Sequence, residues 1–312
     1  MKRIVLIVWL LFFGIAAGAQ TQRGAQYIGE EKKQVQRVQQ STINCGYRRP
    51  IRVASFVTNP PFGWVDVLDE GTRRTYLNDG LSFFVFSKIA RDLKFLVSNI
   101  GYESYYDAIA ALKRGNVDVV AGVYFDKRFL GVGASLLYPG YFKNQARVYF
   151  RKGKERPVRS FDDLRDLRGV VRQEELIYSL IYQSIPKEIQ IREVSGARAA
   201  YTMLLNGEAD FLISSIYAAE AEMRRFKLHD DIVRSDFIVI EPEMFFLFST
   251  NSECMMLRPQ FEAYLKEKKL NRNALDADMR LYIEKWGSRF GEAVSLTEEL
   301  KSGASGAAEN PM

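Results

Sequence analysis

The hydrophobic and polar positions of this chain follow one pattern twice, 92 positions apart. The two copies read DAIAALKRGNVDVVAGVYF and AAYTMLLNGEADFLISSIY. The equivalent positions are Ala108 and Ala200, Leu112 and Leu204, Gly115 and Gly207, and Asp118 and Asp210. Apolar residues at three- and four-residue spacing predict an amphipathic helix that ends at the glycine, and the apolar run after it predicts a buried strand. Two copies predict two similar α/β lobes, with the carboxyl ends of parallel strands facing a crevice between them.

The segments around the repeats extend this alternation. The first lobe is predicted to have the order βαβαβ, from the segments IRVASFV, LSFFVFSKIARDL, KFLVSNI, YYDAIAALKRG and VDVVAGVYF. The next segment, QARVYFRKG, predicts a strand that leads out of this lobe. After an acidic-start helix in FDDLRDLRG, the segments VVR, ELIYSLIYQSI, IQIREV, ARAAYTMLLNG and ADFLISSIY repeat the order. IVIEPEMFFLFST predicts one or two strands, and two amphipathic helices follow it. The chain therefore crosses between the lobes at least twice, and such crossings make a hinge.

The first residues have the pattern of a secretory signal peptide. Lys2 and Arg3 precede an apolar run that starts at Ile4, and the small residues before Gln20 fit a cleavage site after Ala19. An uncleaved anchor is the alternative, although the run is shorter than the roughly 20 residues that span a bilayer. The residue directly after Ala19 is Gln20 and not a cysteine, which excludes a lipoprotein anchor. The pattern predicts a periplasmic protein.

Composition and pattern together predict the domain organisation. The stretch after the signal is rich in Gln, Lys and Arg, and the last residues are rich in Gly, Ala and Ser. The prediction is a signal peptide at 1–19, a polar leader at 20–43, the first part of lobe 1 at 44–143, lobe 2 at 144–243, a return to lobe 1 with C-terminal helices at 244–292, and a disordered tail at 293–312.

The charge argues against one class of partner, and the two cysteines leave two interpretations open. The formal net charge of +6 is scattered, without long basic runs that carry interleaved aromatics, so nucleic acid is not a predicted partner. The two cysteines, Cys45 and Cys254, leave open a disulfide or two separate buried thiols.

Catalytic signatures are few. His229 is the one histidine and lies in the polar sequence KLHDD, which favours a solvated role over a triad. The sequence has no His/Cys cluster for zinc, no phosphate loop and no dinucleotide fingerprint. We therefore predict neither a cofactor nor a metal, and a protein that is not an enzyme.

Residues 51 to 287 contain a series of short motifs in a characteristic order, namely Asn59-Pro60-Pro61-Phe62, Gly80-Leu81-Ser82-Phe83, YYDAIAALKRGNVDVVAG, Lys127-Arg128, SFDDLRDLRGVVR, LLNGEADFLIS and YIEKWG. In this order and spacing they resemble the extracellular solute-binding proteins of bacterial family 3, the amino-acid type that serves ABC transporters. The resemblance implies a two-lobed α/β fold of the periplasmic-binding-protein-like type II, each lobe a mostly parallel sheet flanked by helices, and a monomer that captures a small solute by hinge closure.

The resemblance also implies roles for residues in the crevice. Phe62 and Trp64 correspond to the aromatic residues that pack on the ligand, and Arg128 to the arginine that clamps its α-carboxylate. A guanidinium presents a planar fork of donors that matches a carboxylate. A solvated loop arginine next to Lys127 is the alternative for Arg128.

The chain departs from the family pattern in lobe 2. The family's ammonium-binding aspartate is missing, since its expected place reads Ser214-Ser215-Ile216-Tyr217. The Gly-Ser turn that binds the ligand carboxylate in the family is missing as well, since its place reads Arg172-Gln173-Glu174-Glu175. Either Glu174 supplies the missing charge, or the ligand lacks an ammonium group. Either Tyr124 or Phe125 is predicted to face the ligand, because side chains alternate between the two faces of a strand. The alternative is that both pack in the core. The candidate ligand-binding residues are Phe62, Trp64, Tyr124, Arg128, Gln173, Glu174, Ser215 and Tyr217.

These observations favour capture of a small polar, carboxylate-bearing solute, either amino-acid-like or an organic acid, for a membrane permease or receptor. Two other functions use the same fold. One is a sensor module that binds a ligand or a partner protein. The other is a dehydratase-like enzyme in which Glu174 acts as general acid.

Overall fold

The apolar runs that the sequence predicts as strands form two separate sheets in the computed structural model of the chain, which describes residues 44–56, 60–69, 74–127, 133–268, 272–289 and 295–302. The chain divides into two units, Met1–Arg49 and Pro50–Met312. Of the first unit, 44–49 are described and form a turn in which the backbone nitrogen of Gly46 donates to the carbonyl of Arg49 at 2.7 Å. The predicted signal peptide and polar leader lie outside the described residues.

Lobe 1 is built on the first strands and on one strand that returns late in the chain. Its elements are β1 (Ile51–Phe56), β2 (Trp64–Asp69), β3 (Arg74–Asp79), α1 (Leu81–Asp92), β4 (Val97–Tyr102), α2 (Tyr105–Lys113), β5 (Val119–Tyr124), β6 (Ala134–Leu136), β7 (Phe142–Lys143) and β13 (Glu243–Ser249). The sheet order is β4-β1-β5-β13-β6, with β7 paired to β13. β1 runs parallel to β4 and β5, whereas β13 is antiparallel to its neighbours.

Lobe 2 repeats this plan. Its elements are β8 (Ala146–Arg151), β9 (Arg168–Arg172), α3 (Tyr178–Ser184), β10 (Gln190–Val194), α4 (Ala197–Asn206), β11 (Phe211–Ser215), α5 (Ile216–Phe226) and β12 (Ile232–Ile240). The order is β10-β9-β11-β8-β12, again with three parallel strands followed by an antiparallel one. In each lobe that antiparallel strand arrives directly from the other lobe, so β8 and β13 are the two crossings of the hinge.

The remaining helices follow β13. They are α6 (Arg258–Lys268), α7 (Arg272–Ser288) and α8 (Leu296–Lys301). No helix in the described part of the chain is long and apolar enough to cross a membrane. Neither cysteine is a free thiol.

The repeated helices bury the faces that their periodicity predicts. α2 buries Ala108 and Leu112 in the lobe 1 core, and α4 buries Ala200 and Leu204 in the lobe 2 core. Each helix ends just before a glycine of positive φ, 75° at Gly115 and 77° at Gly207. Glycine takes this conformation without the steric cost that a Cβ adds. The predicted α/β architecture of two lobes is therefore confirmed, and in each sheet three parallel strands lie on one side and the antiparallel strands on the other.

The short strands β6 and β7 are not in the sequence prediction, and four other parts of the chain differ from it. The β2–β3 hairpin has no counterpart in it, and FDDLRDLRG forms a single 3-10 turn at Phe161–Leu164 in place of a helix. The strand predicted in ADFLISSIY ends at Ser215, and α5 begins at Ile216.

The fourth difference lies in the tail predicted to be disordered at 293–312, of which 295–302 contain α8. Leu296 of α8 is buried in the lobe 2 core cluster, with Leu300 packed against it. These two leucines at four-residue spacing give the short helix an apolar face, which the Gly- and Ser-rich composition of the whole tail conceals.

Candidate functional site

The loops that follow β4, β5 and β9 enclose a cavity of about 210 Å³. Because β4 and β5 belong to lobe 1 and β9 to lobe 2, both lobes line it. The lining residues are Ser104, Tyr105, Tyr106, Tyr124, Phe125, Asp126, Gln173, Glu174, Glu175, Leu176, Tyr178, Ser179 and Leu180. The cavity lies at the carboxyl ends of parallel strands, where α/β proteins usually bind ligands.

Aromatic rings from both lobes line much of the cavity. Tyr105 packs edge-on against Phe56 with ring centroids 5.4 Å apart and against Tyr106 at 5.6 Å. Tyr106 is 70% exposed and Phe125 is 39% exposed. These two rings therefore stand at the cavity with surface available for contact.

The hydroxyl of Tyr124 connects the cavity to the hinge. The Nδ2 of Asn144 donates to it at 2.7 Å, and Asn144 lies on the crossing between β7 and β8. Burial is the main reason that the pKa of Tyr124 lies far above its ordinary value. The hydroxyl therefore stays protonated at any physiological pH.

Glu175 is the buried carboxylate of the lobe 2 side. Its Oε1 accepts from the backbone nitrogen of Ser215 at 2.7 Å, and its Oε2 accepts from the hydroxyl of Ser214 at 2.9 Å and from Nη2 of Arg172 at 3.1 Å. Paired and hydrogen-bonded in this way, a buried charge is tolerated. The carboxylate thus reaches the end of β11, where the sequence lacks an acid of its own.

Arg172 stands between two carboxylates. Besides Glu175, its Nη1 lies 4.0 Å from Oε1 of Glu222, which is also 3.6 Å from Arg225 through its other oxygen. Desolvation alone would lower the pKa of Arg172, but the attraction of Glu175 and Glu222 outweighs it and raises the pKa. The guanidinium is permanently charged and donates to the carboxylate of Glu175.

A second polar group orders the loop after β9. The hydroxyl of Tyr178 donates to Oε2 of Glu193 at 2.6 Å, and Nε2 of Gln173 donates to the same oxygen at 2.9 Å. Burial and this carboxylate raise the pKa of Tyr178 to about 12, and both hydrogen bonds lower the pKa of Glu193. The neighbouring Glu174 accepts a short hydrogen bond from the backbone nitrogen of Gly196.

The two lobes also touch each other beside the hinge. Phe62 of lobe 1 meets Tyr217 of lobe 2 edge-on, with centroids 5.9 Å apart and planes at 88°. Phe142 of β7 packs against both rings, at 5.6 Å and 5.2 Å. Leu176 of lobe 2 makes a further contact, since it packs against the lobe 1 core cluster. The lobes are in contact in this structure.

The sequence-predicted residues occupy three places. Tyr124, Gln173 and Glu174 line the cavity, and Ser215 contacts the carboxylate that lines it. Phe62 and Tyr217 contact each other. Trp64 is 1% exposed and packs at 5.6 Å from Trp286 of α7, with the guanidinium of Arg289 over its ring. Arg128 lies outside the described residues, so its role as a clamp stays a prediction.

The sequence assigned Tyr124, Gln173 and Glu174 to a site and named Phe125 as an alternative to Tyr124, but it did not assign the other nine lining residues. Five of these nine carry aromatic or acidic side chains, namely Tyr105, Tyr106, Asp126, Glu175 and Tyr178. Tyr105 and Tyr106 lie in the first turn of α2. Their position directly after a predicted parallel strand is the signal that places them at the crevice.

Comparison with known proteins identifies the class of fold. None of the known family profiles matches the chain, and no curated protein does. Solved structures do match. The GluR0 ligand-binding core in complex with L-glutamate is 18% identical with a TM-score of 0.56, covering 77% of this chain and 99% of that one. The periplasmic VFT2 domain of Bordetella pertussis BvgS is 16% identical with a TM-score of 0.55, covering 80% and 96%.

A third similar structure is the amino acid ABC transporter substrate-binding protein AbpA from Streptococcus pneumoniae, bound to L-arginine. It is 14% identical with a TM-score of 0.55, and the match covers 77% of this chain and 96% of that one. The fold and the cavity between its lobes place this chain among two-lobed proteins of the periplasmic-binding-protein-like type II. Within that class it is similar to amino-acid-binding proteins and to periplasmic sensor domains.

Proposed function

We propose that this chain is a periplasmic solute-binding protein that captures a small polar, carboxylate-bearing solute, amino-acid-like or an organic acid, by closing its two lobes around it. The observation that carries the proposal is the cavity lined by both lobes. A solute there touches Tyr105 and Tyr124 of lobe 1 together with Gln173 and Glu174 of lobe 2. A ligand that makes contacts on both sides of a hinge stabilises the closed form by its differential affinity for it.

Arg128 is the proposed carboxylate clamp, and a membrane permease of the ABC type is the proposed partner. The likeness to AbpA, which is bound to L-arginine, supports a transport role. A sensor role is the second candidate. It is favoured by the likeness to the BvgS periplasmic domain and to a histidine kinase sensor domain, which is 16% identical with a TM-score of 0.53.

A thermal-shift screen of the refolded, ligand-stripped protein tests capture. Amino acids, organic acids, small peptides and sugars form the panel, and small-angle scattering measures closure with any ligand that is found. Ligand at 100 times Kd stabilises the folded form by about 2.7 kcal/mol, which raises the melting temperature measurably. Absence of any shift across the panel would shift support to a sensor that binds a partner protein.

Arg128→Ala tests the clamp. We expect a loss of about 2 to 5 kcal/mol in affinity for a carboxylate-bearing ligand, because the substitution removes one partner of a desolvated charge pair. Arg114→Ala is the matched control, since Arg114 is exposed at the far end of α2 from the cavity. Equal affinity in the wild type and in Arg128→Ala would exclude the clamp.

A further inference from the structure

We infer that Leu176 latches the two lobes together at the cavity, and that Glu175 is the positioning residue that holds Leu176 in place. The side chains of these two neighbours contact different lobes, Glu175 lobe 2 and Leu176 lobe 1. The inference deepens the proposed function and rests on it in one respect, namely that the cavity is the proposed solute site. It is carried by the packing of Leu176, the burial of Glu175 and the hydrogen bonds of the loop that contains both.

Leu176 belongs to lobe 2 along the chain but packs against the core of lobe 1. It lies between β9 and α3, and it contacts the lobe 1 core cluster, which includes Phe56 of β1, Leu112 of α2 and Val123 of β5. Every other residue of this cluster in the described part of the chain belongs to lobe 1. Leu176 also lines the cavity. Its side chain therefore connects the lobes by removing apolar surface on both sides from water.

Glu175 is fixed in lobe 2. Its carboxylate accepts from the backbone nitrogen of Ser215 at 2.7 Å and from the hydroxyl of Ser214 at 2.9 Å. Nη2 of Arg172 donates to it at 3.1 Å, and the side chain of Glu175 is 4% exposed. Withdrawal of this carboxylate would leave buried donors unsatisfied, which is costly. Glu175 therefore moves together with lobe 2.

The loop around this pair is held to lobe 2 on both sides. The backbone nitrogen of Gln173 donates to the carbonyl of Val194 at 3.0 Å, and that of Tyr178 donates to the carbonyl of Glu175 at 2.7 Å. The side chains of Gln173 and Tyr178 both donate to Glu193. A short loop bonded at these points moves as part of its lobe. Leu176 is thus a fixed projection of lobe 2 into lobe 1.

Separation of the lobes has to break this contact. Because Leu176 is fixed to lobe 2, rotation of lobe 2 about the hinge carries its side chain away from the lobe 1 cluster. Leu176 and the lobe 1 surface that it covers then become exposed, and the free energy of exposure grows with the apolar area. The latch therefore favours closed lobes in the absence of a solute.

The latch also restricts access to the cavity. Glu175 and Leu176 both line it, so a solute that enters between the lobes requires the latch to be open. Association that waits for a conformational change is slower than association with a preformed open site. A weaker latch should therefore increase the open fraction of the protein and the rate of solute binding.

Small-angle scattering of the refolded, ligand-stripped protein tests the latch. Leu176→Ala removes most of the side chain, and we expect the radius of gyration to increase; Leu176 is half-buried, so the fold tolerates the change. Leu176→Met keeps an apolar side chain of similar volume and should keep the wild-type value. Leu281→Ala is the matched control, because Leu281 of α7 is 58% exposed. An equal radius of gyration in the wild type and in Leu176→Ala would overturn the latch.

Glu175→Ala tests the positioning role with the same measurement. It frees the loop from Ser214 and Ser215, so the radius of gyration should increase, whereas Glu175→Gln keeps an acceptor for the Ser215 nitrogen and should open the lobes less. Glu188→Ala, at an exposed acid of lobe 2 outside the cavity lining, is the control. Added to Leu176→Ala, Glu175→Ala should cause no further increase, because both act through one contact. A further increase would overturn the positioning role.

Failure of the latch is distinguishable from failure of the proposed function. The scattering experiment uses no solute, so an unchanged radius of gyration in Leu176→Ala overturns the latch and leaves solute capture intact. If the lobes open in this variant while no compound binds, the latch stands and the capture proposal fails. With a solute that binds, Leu176→Ala should raise the association rate constant in stopped-flow measurements. An unchanged rate constant in the opened variant would overturn the restriction of access.

Discussion

Each lobe fastens the start of its third parallel strand with the same arginine and aspartate clasp. In lobe 1, Oδ2 of Asp118 accepts from the backbone nitrogen of Arg52 at 2.8 Å and from its Nε at 3.1 Å, and Oδ1 accepts from Nη2 at 2.9 Å. In lobe 2, Asp210 accepts the same three hydrogen bonds from Arg168, at 2.9, 3.0 and 3.1 Å.

In each lobe the same arginine also binds the glycine that follows the preceding helix. Nη2 of Arg52 donates to the carbonyl of Gly115 at 2.7 Å, and Nη2 of Arg168 donates to that of Gly207 at 2.7 Å. Burial distinguishes the two copies. The side chain of Asp118 is 0% exposed and that of Asp210 is 34% exposed. The repeated motif therefore gives the same hydrogen-bond geometry in both lobes, while the burial of each copy sets how much that geometry contributes to stability.

The opposite ends of the same strands differ in chemistry. β5 ends in Tyr124, whose hydroxyl contacts the hinge residue Asn144. β11 ends in Ser214 and Ser215, which bind the carboxylate of Glu175. The two lobes are thus alike where they are structural and unlike where they face the cavity.

Replacement of the aspartate by alanine should give the largest difference in stability between the clasps of the two lobes. We expect Asp118→Ala to destabilise the fold by about 3 kcal/mol, because it removes a buried carboxylate and leaves partly buried donors of Arg52 without that acceptor. Asp210→Ala, at a partly exposed pair, should cost about 1 kcal/mol or less. Urea unfolding of both variants, with unchanged slope, measures the difference. Equal losses would mean that burial does not distinguish the clasps.

Ser252 marks what lobe 1 has in addition. Its hydroxyl donates to Oδ1 of Asp118 at 2.6 Å and accepts from the backbone nitrogen of Cys254. We expect Ser252→Ala to cost about 1.5 to 3 kcal/mol, the range for a hydrogen bond to a charged group. Ser288→Ala, an exposed serine bonded within its own helix, is the control. In the Asp118→Ala background the effect should shrink, and a strictly additive double variant would argue against this coupling.

The glycines test the other half of each clasp. Alanine in the left-handed conformation costs about 1 to 2 kcal/mol. A Cβ at Gly207 has its nearest neighbour at 3.7 Å, whereas one at Gly115 would lie 3.1 Å from the backbone oxygen of Asn251. We therefore expect Gly115→Ala to be the more destabilising in thermal unfolding. Gly153→Ala isolates the backbone cost, since Gly153 has a φ of 79° and no atom within 4 Å of an added Cβ. Gly207→Ala should match it.

Acid pH should remove the smallest of these effects, which is the stabilisation of the fold by the carboxylate of Asp210. The hydrogen bond from Arg168 is the main reason that the pKa of Asp210 lies below its ordinary value of 3.8. A carboxyl whose pKa is lower in the folded state stabilises the fold above the unfolded pKa and loses that contribution as the pH falls through the folded pKa. The free energy of unfolding of the wild type should slightly exceed that of Asp210→Asn at pH 7, and the difference should disappear as the pH falls through the folded-state pKa of Asp210. A difference that persists in acid would rule out this linkage.

The local pattern of the sequence predicted much of the fold and part of the candidate site. Helical periodicity, the stopping glycines and the apolar strands are properties of neighbouring residues, so α2, β5, α4 and β11 could be located directly. The β2–β3 hairpin escaped because its strands carry charged and polar residues, and α8 because its two leucines lie in a small-residue tail.

The repeated pattern in the sequence was enough to derive the doubled α/β architecture, and the sequence predicted Tyr124, Gln173 and Glu174 as residues of a crevice at the carboxyl ends of its strands. The tertiary structure was needed to establish that Glu175 reaches Ser214 and Ser215 at 2.9 Å and 2.7 Å, and that Phe62 contacts Tyr217. It also decided that Asp118 is buried while Asp210 is partly exposed. The physical reason is that periodicity records which face of an element is apolar, whereas partners distant in the chain are set by how the loops and lobes pack together.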